Sequence, residues 1–234
     1  MITHQLRIPA KADWQSNVAS NILHKYIEKF DACWVPDLAS SPNLSGKLSH
    51  DVQLEIPIHY IGAVSRFSTT DLPHKYDLAI ILSGPEPQRT YLESIIIGQL
   101  PSLSGKHILV RGTKAPLGIE TQKNITDLEV IDLADSTTLN SILNKSKLVM
   151  SRSGYTTIMD LVALRKAAIL IPTPGQPEQE FLAEHLSERF QGFKFAIQDN
   201  LNLGDLIDVK PIWNSAHIDM PWSDQKLLQL LELV

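Results

Sequence analysis

The chain has 234 residues, 43% of them hydrophobic and 20% charged, which is enough apolar material for one sizeable core or one and a half domains. A net charge of -5 without any run of Lys and Arg excludes the usual footprint of a nucleic-acid binder, and a single cysteine, Cys33, excludes an internal disulfide or a cysteine-rich zinc site. No stretch reaches the length of a membrane span, and the first residues lack the order of a signal peptide, so a cytoplasmic protein without a transmembrane segment is expected.

The opening Ile2-Thr-His-Gln-Leu6 reads as the tail of a strand. From Trp14 to Phe30, Val18, Ile22, Tyr26 and Phe30 fall four apart with Ile27 beside them, which predicts an amphipathic helix. Ala32-Cys-Trp-Val35 reads as a buried strand closed by Pro36, and the Ser-, Asn-, Gly- and Pro-rich stretch 37–50 as irregular. Ile58-His-Tyr-Ile61 is a short strand ending at Gly62, and a polar bridge follows it, so we divide the chain into domains 1–62 and 63–234 there.

Beyond the bridge, strand and helix alternate. Strands are expected at Leu78 to Ser83, His107 to Arg111, Leu128 to Leu133, Leu148 to Met150, Ala168 to Ile171 and Phe193 to Ala196. Helices are expected at Pro87 to Gln99, Ser136 to Lys145, around Thr156, at Glu178 to Arg189 and near Leu203 to Ile207. Such alternation means βαβ units on a parallel sheet, an α/β fold. A last helix, Ser223 to Leu233, carries Leu227, Leu228, Leu230, Leu231 and Leu233. It and the Trp14 to Phe30 helix need a cover, so a homodimer or a partner chain is expected.

Three loops that follow strands should converge on one edge: Ser83 to Arg89, Ser151 to Tyr155 and Pro172 to Glu180. In the middle one, the apolar run Leu148-Val-Met150 meets Ser151-Arg-Ser-Gly154, and helical spacing begins with Ile158 and Leu161. A strand-to-helix corner of this kind aims amide groups and the positive helix end at a phosphate or pyrophosphate. Thr156 and Asp160, four apart, stand above it, where a carboxylate takes both hydroxyls of a ribose. The same residues also suit a core helix capped by Ser153 with Asp160 on its solvated side. No histidine pair or Asp-x-Asp favours a metal, and neither G-x-G-x-x-G, a Walker lysine loop nor G-x-S-x-G is present.

Taken together, Ser151-Arg-Ser-Gly-Tyr-Thr-Thr-Ile-Met-Asp160, Ala168-Ile-Leu-Ile-Pro172 and Gln179-Glu-Phe181 resemble the donor-binding C-terminal domain of the GT-B nucleotide-sugar glycosyltransferases of family 28, which includes the enzyme that forms lipid II. The resemblance implies a Rossmann-like GT-B C-terminal domain preceded by a partial N-terminal α/β domain, with residues 1–62 as the remnant of the acceptor domain. It implies a UDP-sugar as substrate, no cofactor, no metal and an unknown acceptor, with transfer of an N-acetylglucosamine-like sugar by inversion. Donor binding would fall on Ser153, Gly154, Tyr155, Thr156 and Asp160, with Gln179 and Glu180 on the sugar. Asp160 replaces the more usual Glu, and Glu180 replaces a second Gln. Gly84 and Arg89 would be loop contacts, with Arg89 offsetting Glu86 near the pyrophosphate unless that loop faces the acceptor. Thr3-His-Gln5 is similar to the family's cleft segment, which implies that the first strands of the acceptor domain, with their glycine-rich loop and the catalytic base, lie outside this chain, and leaves His4 as the substitute candidate for the base. A donor-binding subunit completed by a partner, and an epimerase or hydrolase of the same fold, are the alternative readings.

Overall fold

The computed structural model describes residues 1–10, 12–115 and 127–208, and the Leu-rich helix expected at 223–233 lies outside them. In the front part, helix α1 (Asp13–Ile27) leads to strand β1 (Cys33–Val35), which pairs in parallel with β2 (Ile58–Tyr60). The opening segment adds one parallel bridge, Ile2 to Trp34, on the other edge of β1, which is all that forms of the expected strand tail. Polar side chains hold α1 in place. Ser16 Oγ donates to the Ile8 carbonyl at 2.6 Å, Ser20 Oγ accepts from the Ile8 amide at 2.9 Å, and His24 Nε2 donates to the Leu6 carbonyl at 2.7 Å. Cys33 is a buried apolar filler, packed with Leu6, Ile27 and Val35.

One buried carboxylate orders the irregular stretch 37–50. Asp37 is fully buried and accepts from the amides of Leu38, Leu44 and Ser45 at 2.7 to 2.8 Å, from the Ser45 hydroxyl, and from His50 Nε2 at 3.3 Å. Burial pushes its carboxyl pKa up, but the hydrogen bonds from His50, Ser45 and the Leu44 and Ser45 amides outweigh burial and hold it below the usual 3.8. A depressed folded-state pKa stabilises fully above the unfolded value and loses that contribution as pH falls through the folded one. Thermal stability should therefore decline as pH drops through and below the ordinary carboxylate range, and Asp37→Asn should flatten that decline. A variant whose melting follows the wild-type pH profile would show that Asp37 is not the group responsible.

In the back part the elements run β3 (Tyr76–Ile81), α2 (Gln88–Gln99), β4 (His107–Val110), β5 (Leu128–Ile131), α3 (Ser136–Asn144), β6 (Ser146–Ser151), α4 (Tyr155–Ala163), β7 (Ala168–Leu170), α5 (Pro177–Arg189), β8 (Phe193–Phe195) and α6 (Leu203–Asp208). The six strands form one parallel sheet in the order β5-β4-β3-β6-β7-β8. The chain winds outward from β3 to β5, crosses over, and winds the other way from β6, so the sheet is Rossmann-like with its switch point between β3 and β6.

Side-chain alternation builds a layer on each face. Leu78 and Ile80 of β3, Leu109, Leu148, Met150 and Ile169 pack with Leu92, Ile96 and Leu100 near α2. Val149, Ala168 and Leu170 point the other way and pack with Ile158 and Leu161 of α4 and Leu182 and Leu186 of α5. Strands buried on both faces read as unbroken apolar runs, which is why this sheet was legible. The second cluster also takes in Leu44 and Leu48 from the front part and Ala63 and Phe67 from the bridge, so apolar packing continues across the expected domain boundary.

Register then brings the loops together. Ile81 of β3 lies opposite Val110 of β4 and Ser151 of β6, and Ser151 lies opposite Leu170 of β7. The four strands end level, and their loops start on one edge.

Candidate functional site

The corner after β6 is open. Gly154 is the N-cap of α4 in an extended conformation, with no side-chain cap hydrogen bond, and a Cβ built on it meets nothing within 4 Å. The first amides of α4 therefore face free space with the positive end of the helix. Ser153 does not cap the helix: it is fully buried, and its hydroxyl donates to the Gln179 carbonyl at 2.8 Å, tying the corner to the start of α5.

Beside the corner lies a cavity of about 250 Å³ at the switch point. Its apolar wall includes Phe67, Ile81, Leu133 and Leu139, and its polar lining includes Ser83, Thr156, Thr157 and Asp160. Asp160 is 7% exposed and forms no ion pair among the described residues; its Oδ1 accepts from the Ser65 hydroxyl at 2.6 Å. Burial raises its pKa above the usual 3.8, against smaller lowering effects from the Ser65 hydrogen bond and the Arg66 charge. The alternative reading of Asp160 as solvated helix surface is thus corrected, because the bridge segment 65–67 folds over it. The cavity wall also needs Gly112: with φ at +70°, a Cβ there would stand 2.5 Å from the Leu82 carbonyl oxygen.

Arg152 sits beneath the corner, 2% exposed. Its guanidinium donates to the carbonyls of Pro172 at 3.0 Å and Gln88 at 2.9 Å and to Gln198 Oε1 at 2.7 Å. Desolvation pushes its pKa down to about 10, so it stays charged at neutral pH, with no carboxylate partner among the described residues. One side chain thus joins the segments after β3, β6, β7 and β8, a role that nothing in its local sequence announced.

The other expected site residues fall as follows. Tyr155 is buried, its hydroxyl donates to the Pro36 carbonyl at 2.9 Å, and burial raises its pKa; its side chain belongs to the seam between front and back parts. The His4 ring stacks on Tyr155, with centroids 3.9 Å apart and planes at 4°, and His4 Nε2 donates to Glu178 Oε1 at 2.9 Å. Gln179 Oε1 accepts from the Thr173 amide and Glu180 Oε1 from the Gly175 amide, both at 2.9 Å, so these two brace the Pro-rich loop. Gly84 takes φ +102° beside Thr173 Oγ1, which a Cβ would meet at 3.6 Å.

Arg89 is 4% exposed and committed elsewhere. It donates to Glu86 at 2.6 Å, to Glu93 and the Arg111 carbonyl at 3.1 and 3.3 Å, and to Thr90. It does offset Glu86, as expected, but its donors are consumed inside this network. The residues that sequence reasoning missed are Ser65, Arg66, Phe67, Gly112 and Leu133. They lie on loops without periodicity, and only the paired strand ends bring them to the cavity.

Residues 104–207 match the glycosyltransferase family 28 C-terminal domain. The family 28 match takes in β4 to β8 and the whole corner, while β3 and the front part precede it. No curated protein matches the chain. Among solved structures, the glycotransferase of kitacinnamycin superposes with a TM-score of 0.60 at 11% identity, over 99% of this chain and 64% of that one. MurG of Acinetobacter baumannii superposes with a TM-score of 0.60 at 12% identity, over 94% of this chain and 63% of that one. The calicheamicin glycosyltransferase CalG4 gives 0.52 at 12% identity, over 97% and 57%. At these identities the likeness is one of fold, the Rossmann-like GT-B architecture, and the chain spans under two thirds of the length of these proteins.

Proposed function

We propose that the chain is the donor-binding part of a metal-independent glycosyltransferase that takes a sugar linked to UDP. The observation that carries this reading is the pairing of the switch-point cavity, with Asp160 in its lining, and the open, uncapped start of α4 beside it. The nucleoside fits the cavity, its ribose hydroxyls donate to Asp160, and the diphosphate lies over Gly154 against the amides of Tyr155 and Thr156. As the bond to the anomeric carbon breaks, charge grows on the leaving diphosphate, and prealigned amides at a helix start stabilise that charge more than they stabilise the bound donor. The loop braced by Gln179 and Glu180 faces the sugar, of the N-acetylglucosamine kind.

His4 is the proposed base for an inverting displacement. With its Nε2–H given to Glu178, the lone pair on Nδ1 is left to take a proton from an acceptor hydroxyl. Transfer without a metal is itself testable: UDP titrated in the presence of EDTA should bind as it does without it. Loss of affinity on chelation would remove the metal-independent reading.

A second reading is a donor-binding subunit completed by another chain. It expects UDP binding with no release of UDP from UDP-N-acetylglucosamine by this chain alone. Release that depends on an added hydroxyl acceptor would instead establish a self-sufficient transferase.

A further inference from the structure

We propose that the outer face of α1 is a homodimer interface, closed by α1 of a second copy running antiparallel. Trp14, Val18, Ile22, Tyr26 and Phe30 are 67%, 53%, 54%, 60% and 50% exposed. Trp14, Val18, Ile22 and Tyr26 form one row four residues apart on α1, the ridge that interlocks when two helices pack at about -50°, and Phe30 follows just past the helix end. The helix does not use this row to hold its own chain. Ser16, Ser20 and His24 attach it through hydrogen bonds to the backbone of residues 6–8, and only Leu23 and Ile27 reach the front core. A helix with its polar groups turned inward and its largest apolar groups turned outward has its apolar partner outside the chain.

Area and charge both favour a second copy as that partner. Aromatic side chains bring about 150–250 Å² each, so three half-exposed aromatics and two aliphatics form a patch on the order of 500 Å². Two such patches face to face bury on the order of 1,000 Å², the lower end of a specific interface. Asp13 lies in the first turn and His24 and Lys25 in the last, while Lys29 Nζ sits 4.8 Å from the Tyr26 ring centroid, beside the row. An antiparallel pair sets Asp13 near Lys25 and Lys29 of the other copy and the positive start of each helix near the negative end of its mate. Centred on Ile22, it also places Val18 opposite Tyr26, small against large. A lipid surface is a poorer match, because the helix lacks the Lys- and Arg-rich polar face of membrane-surface helices.

This inference does not depend on the glycosyltransferase reading. Its link to the site is positional: the segment that α1 grips, Leu6 to Ile8, directly follows His4.

The test is sedimentation of the full chain across micromolar concentrations. A reversible dimer is expected, and Ile22→Asp should raise its dissociation constant by at least about 100-fold, because a carboxylate is buried at the centre without a partner. At concentrations below the dimer's dissociation constant the melting curve of this variant should match wild type, since Ile22 is not among the core residues. Asp13→Lys should weaken the dimer several-fold, and adding Lys25→Asp and Lys29→Asp to the same chain should restore it, which only an antiparallel self-pairing predicts. A monomer at every concentration, a dimer indifferent to Ile22→Asp, or charge reversals without mutual rescue would overturn the proposal. So would a monomer that sediments with anionic vesicles through Ile22.

Discussion

Asp160→Ala is expected to weaken UDP binding by about 1–3 kcal/mol, the worth of hydrogen bonds to a charged acceptor. In dissociation constant this is roughly five- to 150-fold by calorimetry. Ser65 holds one carboxylate oxygen in place, so the ribose would meet an oriented acceptor. Affinity should also fall as pH drops, and at a higher pH than for an ordinary carboxylate, because burial raises the Asp160 pKa and the protonated group accepts poorly. Gly154→Leu separates the site from the fold. Its backbone has φ at -69° and open space above it, so the variant should melt like wild type while its side chain fills the diphosphate position and removes UDP binding. Unchanged affinity in both variants would take the corner out of the site, and with it the nucleotide-sugar reading.

Glu93→Ala should cost about 3–5 kcal/mol of stability, the range for breaking a buried ion pair from one side. Glu93 is 5% exposed and accepts from Arg111 Nε at 2.5 Å, Arg111 NH2 at 3.3 Å and Arg89 NH1 at 3.1 Å. Without it, two buried guanidinium groups confront one another, with only Glu86 and Asp132 left among the described residues, both more than half exposed. The Glu93 hydrogen bond, with a smaller one from Asp132, is also what raises the Arg111 pKa. For a chain of this size the loss corresponds to a fall in Tm of roughly 6–20 °C. Lys147→Ala is the control, since its pair with Asp77 is 61% and 40% exposed and an open ion pair is worth at most about 1 kcal/mol. Equal melting losses in the two variants would mean that the buried network does not brace the fold.

That network spans α2, the end of β4 and the residue after β5, and so supports the cavity wall near Gly112 and Leu133. The Arg152 hub ties the loop after β6 to the start of α2 and to the segments after β7 and β8. Three buried guanidinium groups, Arg89 and Arg111 on one side and Arg152 on the other, thus brace the carboxyl edge, while the proposed ligand groups, Asp160 and the α4 amides, lie between them.

Hydrophobic periodicity in the chain alone determined the parallel α/β class and most of the element positions. The run at Leu78 to Ser83 forms a strand at Tyr76–Ile81, and the Glu178 to Arg189 pattern forms a helix at Pro177–Arg189. Periodicity is a property of neighbours along the chain, so it survives without knowledge of what the apolar face meets. The turn at Gly154 was legible for the same reason: a change of period marks a corner wherever the rest of the chain goes. Tertiary structure decided which groups meet across long separations. Ser65 reaches Asp160, His4 reaches Glu178, and Arg152 reaches Gln88 and Gln198 only because strand order and level strand ends set their loops side by side. It also set Arg111, 18 residues away, against Glu93, so that the carboxylate Arg89 meets within its own helix holds two buried guanidinium groups at once.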